Sequence, residues 1–367
     1  MNMNIYIHAF YTIVLRFRIR MNLNRRQLRD MSDPFSLTEE TFKGIYRLSR
    51  QLTRDLMTDL SPFLQDNERV LGIPKHLKIL ATLNFLAQGS YQKAVGQDFF
   101  CPMSQKSVSR CVEEVTGALV EHFPHFVHFP STAAEKTQEK QLFMTVPHGF
   151  PGIIGAVDCT HVAIISPPVE DPQYPAIVFL NRKGYYSINV QIICNARLKI
   201  LAINARFPGS VHDAGIWTTS IVKNLLHTSY ENGDSSSWLI GDAGYPLEPW
   251  LMTPVSGHNL TEPERRYNVA HKSIRNVIER LNGVLKTRFR CLSKHRVLHY
   301  NPAKCAKLIY ACAILHNMCI HNGEIDIDID HNDEEDNNDE PRNAENDHNN
   351  LHEGRIIRNR IIRDYFQ

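Results

Sequence analysis

The chain has 367 residues, of which 43% are hydrophobic, and a formal net charge of +2 from 41 basic and 39 acidic side chains. This apolar content suffices for one large core or two modest ones, and with only 18 Gly and 19 Pro it excludes collagen-like, mucin-like and wholly disordered chains. The eight cysteines form no CxxC pair, which favours reduced thiols in the cytosol or nucleus.

Residues 1–34 are interpreted as a basic, poorly ordered arm. Ile5–Leu15 is apolar but short and runs into arginines, so neither a cleaved signal nor a membrane span is expected, and no membrane partner is predicted. Six arginines and no acid occupy Arg16–Arg29. Such an arginine run is either a nuclear-import signal or a solvated arm. The predicted locations of the protein are the nucleus and the cytoplasm.

Helical periodicity runs through residues 35–135. Within this region Ser90–Phe99, a Cys101-Pro102-Met103 turn and a second helix capped by Ser104 have helix-turn-helix proportions. Short polar side chains and one arginine at the start of the second helix suit contact with DNA, although two such helices also occur in ordinary bundles. The candidate contacts here are Ser107, Ser109 and Arg110.

From Pro151 the pattern changes to strands. Ile153–Ile165 is almost continuously apolar, Tyr185–Asn195 alternates, Leu198–Ala205 returns as a hairpin partner, and Trp238–Gly241 forms a short buried strand. Helices then follow over about 270–288 and, with Asn301 as N-cap and Pro302 in its first turn, up to Gly323. Strands followed by helices predict a mixed sheet in an α/β domain covering residues 150–322.

The last part of the chain divides by charge. Residues 323–350 contain 12 acids and one base, so this segment contributes −11 and, with +2 overall, the rest carries +13. The acidic segment is predicted to be disordered, and residues 351–367 form a short basic end. A body so basic favours a polyanionic partner such as nucleic acid, with an ordinary soluble surface as the alternative.

Two carboxylates stand where burial makes a charge costly. Asp158 interrupts an apolar strand, and Asp242 ends another strand just before a Gly-containing turn. Because open α/β sheets place ligands at strand ends, both could meet there, with Glu279 packing across on a helix. Three convergent carboxylates would hold Mg²⁺ or Mn²⁺, and divalent ions serve phosphodiester chemistry. Each acid also has a structural alternative, such as pairing of Glu279 with Arg275.

Several segments in order resemble the Harbinger transposase-derived nucleases: Pro151–Val162, Asn181–Gly184, Pro208–Asp213, Leu239–Pro246, Ile278–Arg280 and Leu315–Asn317. The resemblance implies an RNase H-like transposase fold, preceded by a helix-turn-helix portion, with an Asp-Asp-Glu triad at Asp158, Asp242 and Glu279. Asp213 is the rival for the second acid and a less favoured metal ligand. The resemblance also implies a DNA substrate and a separate Myb-like DNA-binding partner.

The sequence therefore predicts a metal-dependent endonuclease that hydrolyses DNA. The rival hypothesis is a domesticated protein that binds DNA or protein without cutting. Further candidates for phosphate contact are Arg182, Lys183, Arg275 and Lys286. Cys305, Cys312, Cys319 and His316 share a helical stripe that could bind zinc, but packing as a buried helix is the favoured interpretation.

Overall fold

The computed structural model describes residues 12–16, 20, 27, 33–66, 72–89, 91–98, 102–324 and 348–367. Most of the predicted basic arm and most of the predicted acidic segment lie outside these residues. The chain divides into two compact units, Met1–His122 and Phe123–Gln367.

The first unit is helical in its described residues. Its helices are α1 (Glu39–Tyr46), α2 (Arg50–Leu60), α3 (Lys75–Gln88), α4 (Gln92–Val95) and α5 (Gln105–His122). Helix α3 is buried from Leu77 to Ala87 and packs against α5. The buried Lys78 ammonium lies 2.7 Å from Glu114 on α5 and donates to the Gln65 carbonyl, so its charge is compensated.

Helices α4 and α5 occupy the segment predicted to be a helix-turn-helix. Ser104 caps α5, since its Oγ accepts a hydrogen bond of 3.1 Å from the Ser107 amide. Helix α4 is a single turn of four residues, shorter than the helix predicted over 90–99. Residues 99–101 of the connection lie outside the described part, and the helix-turn-helix assignment stays a prediction.

The second unit contains a five-stranded mixed sheet, which confirms the predicted α/β class. Its strands are β1 (Ile153–Ala163), β2 (Ser187–Cys194), β3 (Ile200–Pro208), β4 (Trp238–Ile240) and β5 (Leu251–Met252), in the order β3-β2-β1-β4-β5. The first three strands are antiparallel neighbours, whereas β4 pairs parallel to β1 and β5 parallel to β4. Strand β5 was not predicted, because two residues carry no detectable alternation.

Helices cover both faces of this sheet. They are α6 (Ala133–Met144), α7 (Ala176–Phe179), α8 (Asp213–Thr218), α9 (Ile221–Glu231), α10 (Glu262–Arg288), α11 (Pro302–His321) and α12 (His348–Tyr365). Trp217 on α8 and Val222 and Leu226 on α9 pack on one face. Helix α10 contacts β1 and β2, and α11 contacts β3. Helix α10 begins earlier than predicted because Thr261 and Glu264 form a capping box.

Helix α11 has the predicted ends and packs against the hairpin of β2 and β3. Asn301 caps it through the Lys304 amide at 2.8 Å, and Pro302 stands in its first turn. By length and composition this helix could cross a membrane, yet most of it is buried inside the protein. Cys305, Cys312 and Cys319 on this helix are all buried.

The Leu315-His316-Asn317 segment explains how α11 holds the hairpin. His316 Nε2 lies 2.8 Å from the Leu198 carbonyl and Nδ1 lies 2.9 Å from Arg288, while burial lowers the pKa of His316 to about 3. The neutral ring therefore uses both nitrogens in hydrogen bonds and has none left for zinc. Asn317 donates to the carbonyls of Ile200 and Phe126 and accepts from the Ile200 amide.

The chain end, predicted as a short basic segment, is the helix α12 packed on β5 and α10. Gly354 lies so close to the Glu248 backbone that a Cβ would meet it at 3.0 Å. Arg358 donates to the carbonyls of Thr253 and Pro254, and Phe366 packs against Phe150. Arg358 and Phe366 thus anchor this helix beside the sheet.

Replacing Asn317 by Ala should destabilise the second unit by about 3 kcal/mol, because three backbone partners lose hydrogen bonds in a buried site. Urea unfolding followed by tryptophan fluorescence measures this unit alone, since Trp217, Trp238 and Trp250 all belong to it. The matched control is Asn224→Ala at an exposed position of α9, which should change the free energy of unfolding by less than about 0.5 kcal/mol. Equal losses in both variants would contradict this role of Asn317.

Candidate metal centre

Strands β1 and β4 bring Asp158 and Asp242 side by side. The two strands run parallel, with Ala156 paired to Ile240, and each aspartate lies two residues further on. Beyond this pair β4 ends, so the edge of β1 next to Asp158 is open to side chains rather than to backbone. Strand pairing therefore places two carboxylates together at the carboxyl end of β4, as predicted from the sequence.

Asp213 completes a cluster of three carboxylates. One oxygen each of Asp158, Asp213 and Asp242 lies within 4.8 Å of the other two; Asp158 is buried and its partners are half-buried. Asp213 is the first residue of α8, one turn before Trp217. The Trp217 indole donates to Glu248 at 2.8 Å, and Glu248 also pairs with Lys223 at 2.7 Å. These contacts fix α8 on the sheet and hence the position of Asp213.

Each carboxylate of the cluster accepts a hydrogen bond from an amide N–H. Asn189 on β2 donates to Asp213 at 3.0 Å, Asn282 on α10 donates to Asp158 at 3.4 Å, and the Gly244 amide donates to Asp242 at 2.9 Å. Asn189 is 2% exposed and Asn282 is 4% exposed. Amides that donate to one oxygen fix the orientation of the carboxylate and leave its remaining lone pairs for another ligand.

The electrostatics of the cluster are unfavourable to three negative charges. Burial raises the pKa of Asp158 well above its usual range, the Arg275 guanidinium opposes this rise, and the charges of Asp242 and Asp213 add to it. Burial also raises the pKa of Asp242, and the charge of Asp213 contributes in the same direction. The cluster therefore has an excess of negative charge that a bound cation would neutralise.

Helix α10 faces the cluster with a stripe of polar residues. His271, Arg275, Glu279 and Asn282 follow one another at three- or four-residue spacing, so they share one side of the helix. His271 Nε2 lies 3.3 Å from the Met252 carbonyl, and burial lowers the pKa of His271 to about 4, so the ring is neutral. This contact ties α10 to the strand that neighbours Asp242.

Glu279 lies on this stripe but outside the three-carboxylate cluster. Its carboxylate forms an ion pair with Arg275 and is 39% exposed. The structure therefore brings together Asp158, Asp242 and the less favoured Asp213, and it places Glu279 between Arg275 and Asn282. The structural alternative considered from the sequence, the pairing of Glu279 with Arg275, is present.

The candidate DNA contacts have different surroundings. Arg110, Arg182 and Lys183 are exposed, and Ser107 and Ser109 are partly exposed on α5. Arg275 is occupied by its ion pair with Glu279. Lys286 is only 8% exposed and, with Thr160 and Asn282, lines a small cavity between α10 and the sheet.

The residues present fit a hard divalent cation. Three carboxylates converge, which is the ligand chemistry that Mg²⁺ and Mn²⁺ prefer. Among the described residues this is the one group of His, Cys, Asp or Glu side chains close enough to hold a metal ion. A divalent cation held by these carboxylates could bind a phosphate ester and polarise it.

The sequence marked Asp213 as the less favoured metal ligand, and it did not point to Asn189 or Asn282. A signal for Asn189 existed, because it is a polar residue in a strand whose eight residues are all buried. Asn282 likewise stands on the core side of α10, three residues after Glu279. The segment Pro208–Asp213 marked Asp213 as a candidate, but the approach of Asp213 to the other two acids depends on how α8 packs on the sheet.

The Asp158→Asn variant should be more stable than the parent protein when no metal is bound, because the amide removes one buried charge. The raised pKa of Asp158 means that the folded state binds the proton more tightly than the unfolded state. The stability of the parent protein then falls as the pH rises through the folded-state pKa of Asp158, whereas the variant lacks this titration. The stability advantage of the variant over the parent should therefore be largest at pH 8 and vanish in acid. Each kcal/mol gained raises Tm by about 2–4 °C.

Thermal unfolding in EDTA between pH 4 and 8 measures this effect. Asp364→Asn, at an exposed position on α12, is the matched control and should leave Tm unchanged at every pH. A variant at Asp158 that is no more stable than the parent at pH 8 would contradict the repulsion inferred for the cluster.

Comparison with known proteins identifies the domain in which the cluster lies. A model of the DDE superfamily endonucleases matches residues 157–317, a range that contains all four candidate acids. The chain is 36% identical over 314 residues to "Putative nuclease HARBI1" of Mus musculus, covering 85% of this chain and 84% of that protein. The protein of that name in Xenopus laevis is 34% identical, with 86% of each chain covered.

A more distant relative is "Protein ALP1-like" of Arabidopsis thaliana, which is 24% identical over 78% of this chain and 72% of its own length. No solved structure matches this chain. From its identity and coverage against the nuclease-named relatives, and from its DDE endonuclease domain, the chain belongs to the family of Harbinger transposase-derived nucleases.

Proposed function

We propose that this protein is a divalent-metal-dependent endonuclease that hydrolyses phosphodiester bonds of DNA. The observation that carries the proposal is the cluster of Asp158, Asp213 and Asp242, whose oxygens lie within 4.8 Å of one another. Its membership of a nuclease family and its DDE endonuclease domain support the same conclusion. A nuclease domain in turn implies DNA as the substrate.

In this proposal Asp158 and Asp242 hold Mg²⁺ or Mn²⁺, and Asp213 or Glu279 completes the ligand set. When bound, a pair of such ions would activate the attacking water or hydroxyl and stabilise the leaving oxyanion. Asn189 and Asn282 orient the carboxylates through their amide N–H groups. Arg275 neutralises part of the negative charge near the cluster and holds Glu279 by its ion pair.

We also propose that the second unit has an RNase H-like fold. The support is its sheet order, β3-β2-β1-β4-β5, in which three antiparallel strands are followed by two parallel ones. A further support is the position of Asp158 on the central strand and of Asp242 directly after its parallel neighbour.

Cleavage of labelled duplex and single-stranded DNA tests the activity. With Mg²⁺ or Mn²⁺ the parent protein should cut, and Asp158→Asn and Asp242→Asn should each lower the rate by about three orders of magnitude or more. The reason is that electrophilic stabilisation of the transition state is worth several kcal/mol. Asp364→Asn should cut at the parent rate.

Retention of cleavage by either cluster variant would overturn the site assignment. Absence of cleavage by the folded parent protein, together with tight DNA binding, would favour the rival function, a domesticated protein that binds DNA or protein without cutting.

The third acidic ligand is tested by metal binding itself, which requires no turnover. Titration of Mn²⁺ followed by electron paramagnetic resonance should show at least tenfold weaker binding for Asp213→Asn, because this carboxylate lies in the cluster. Glu279→Gln should change the affinity by less than about threefold if Arg275 keeps Glu279 away from the ion. The opposite ranking would assign the triad to Asp158, Asp242 and Glu279, as the family resemblance implies.

A Myb-like partner and a location in nucleus and cytoplasm remain predictions from the resemblance and from the arginine-rich start of the chain. Affinity purification of the tagged protein and fractionation of cells would test them.

A further inference from the structure

Positive charge in the second unit is concentrated in two stretches that contain no acidic residue. These stretches are residues 172–212 and 280–323. They hold thirteen basic side chains, namely Arg182, Lys183, Arg197, Lys199, Arg206, Arg280, Lys286, Arg288, Arg290, Lys294, Arg296, Lys304 and Lys307. Lys286 and Arg288 are buried, so the surface charge comes from the others.

The fold joins the two stretches just past the end of β1. The Leu298 amide donates to the Ala163 carbonyl at 3.0 Å, and the Ile165 amide donates to the Leu298 carbonyl at 2.9 Å. The Lys294 ammonium lies 5.2 Å from the centre of the Tyr185 ring. Arg182 and Lys183 therefore share one neighbourhood with Lys294 and Arg296, and all four side chains are exposed. We call these four residues the basic patch.

Buried hydrogen bonds hold the turn that presents Arg182 and Lys183. Asn181, only 3% exposed, accepts from the amides of Lys183 and Tyr185 and donates to Ser187 Oγ at 2.9 Å. Gly184 has a φ of 80°, a conformation that suits glycine. A turn fixed in this way presents its cations without the entropic cost of ordering a loop when a ligand binds.

Strand β1 connects the basic patch to the carboxylates. Ala163 lies five positions after Asp158 on β1, which at the rise of a β-strand is about 17 Å. One strand of duplex DNA advances about 3.4 Å per base pair, so this distance corresponds to about five base pairs. If the duplex lies along β1 with its scissile phosphate at the carboxylates, a phosphate about five nucleotides away therefore reaches the basic patch.

We propose that the basic patch binds the sugar-phosphate backbone of the DNA about five nucleotides from the bond that is cut. Lysine and arginine at this density bind phosphates without reading the sequence. The proposal rests on the proposed function in taking DNA as the ligand, but binding can be measured separately from cleavage.

The test uses the full chain and a 24-base-pair duplex in EDTA, with binding followed by fluorescence anisotropy from 50 to 200 mM NaCl. Arg182→Gln/Lys183→Gln and Lys294→Gln/Arg296→Gln should each weaken binding about tenfold at 50 mM NaCl. Each double variant should also reduce the slope of the logarithm of affinity against the logarithm of salt concentration by about two, because two phosphate contacts are lost. The control Arg355→Gln/Arg363→Gln removes the same charge from exposed positions of α12 and should bind within about twofold of the parent.

Several outcomes would overturn the proposal: patch variants that bind as the parent does, a control that weakens binding equally, or no binding of DNA by the parent. Neither the patch variants nor the control variant should lower Tm, and thermal unfolding curves check that all of them are folded. A loss of affinity for duplex RNA but not for DNA would also contradict the proposal.

Cleavage kinetics separate this proposal from the proposed function. If the protein cuts DNA, the patch variants should raise KM about tenfold and leave kcat within about twofold, because the patch lies away from the reacting bond. If the parent binds DNA through the patch but never cuts, the proposed nuclease activity fails and the binding surface stands. If it cuts and the patch variants keep the parent KM and affinity, only the patch fails.

Discussion

The constraint on which the site in the second unit depends is the close approach of Asp158, Asp213 and Asp242, whose negative charges repel one another. At separations within 4.8 Å, and with an effective dielectric constant of about 20, each pair of charges costs roughly 3 kcal/mol. Three separate pieces of the fold hold the carboxylates there: the central strand, the end of its parallel neighbour, and the first turn of α8. A fold that keeps like charges together without a structural need for them is typical of a site built for a cation.

The surrounding elements show how this arrangement is maintained. Amides of Asn189 and Asn282 reach the cluster from the two faces of the sheet, and both lie on elements that are themselves packed in the core. Glu248 fixes α8 through Trp217, while the backbone of Glu248 is covered by α12 at Gly354. The helix at the end of the chain thus contributes indirectly to the position of Asp213.

The chemical character of the second unit changes along β1. Near its middle β1 carries the buried Asp158, beside the half-buried Asp213 and Asp242. Past Ala163 it meets two turns whose charged residues are all basic. An anionic polymer bound along this direction would meet a cation at one end, held by the carboxylates, and lysine and arginine at the other. In the proposed function, phosphate would thus be bound through a cation near the middle of β1 and through basic side chains past its carboxyl end.

The sequence by itself determined the elements whose signal is local. Apolar runs predicted β1 and β4, and alternation predicted β2 with β3 as its hairpin partner. Asn301 and Pro302 predicted the start of α11. The costly positions of Asp158, inside a buried strand, and of Asp242, after another strand, marked the candidate site. Tertiary structure decided the rest. Asp213 joined the cluster because Trp217 and Glu248, 31 residues apart, hold α8 against the sheet. Lys286 is buried because α10 packs that side on the core. Strand β5 pairs with β4, and α12 packs on β5 and α10. Each of these depends on contacts between distant segments, which periodicity and spacing along the chain do not record.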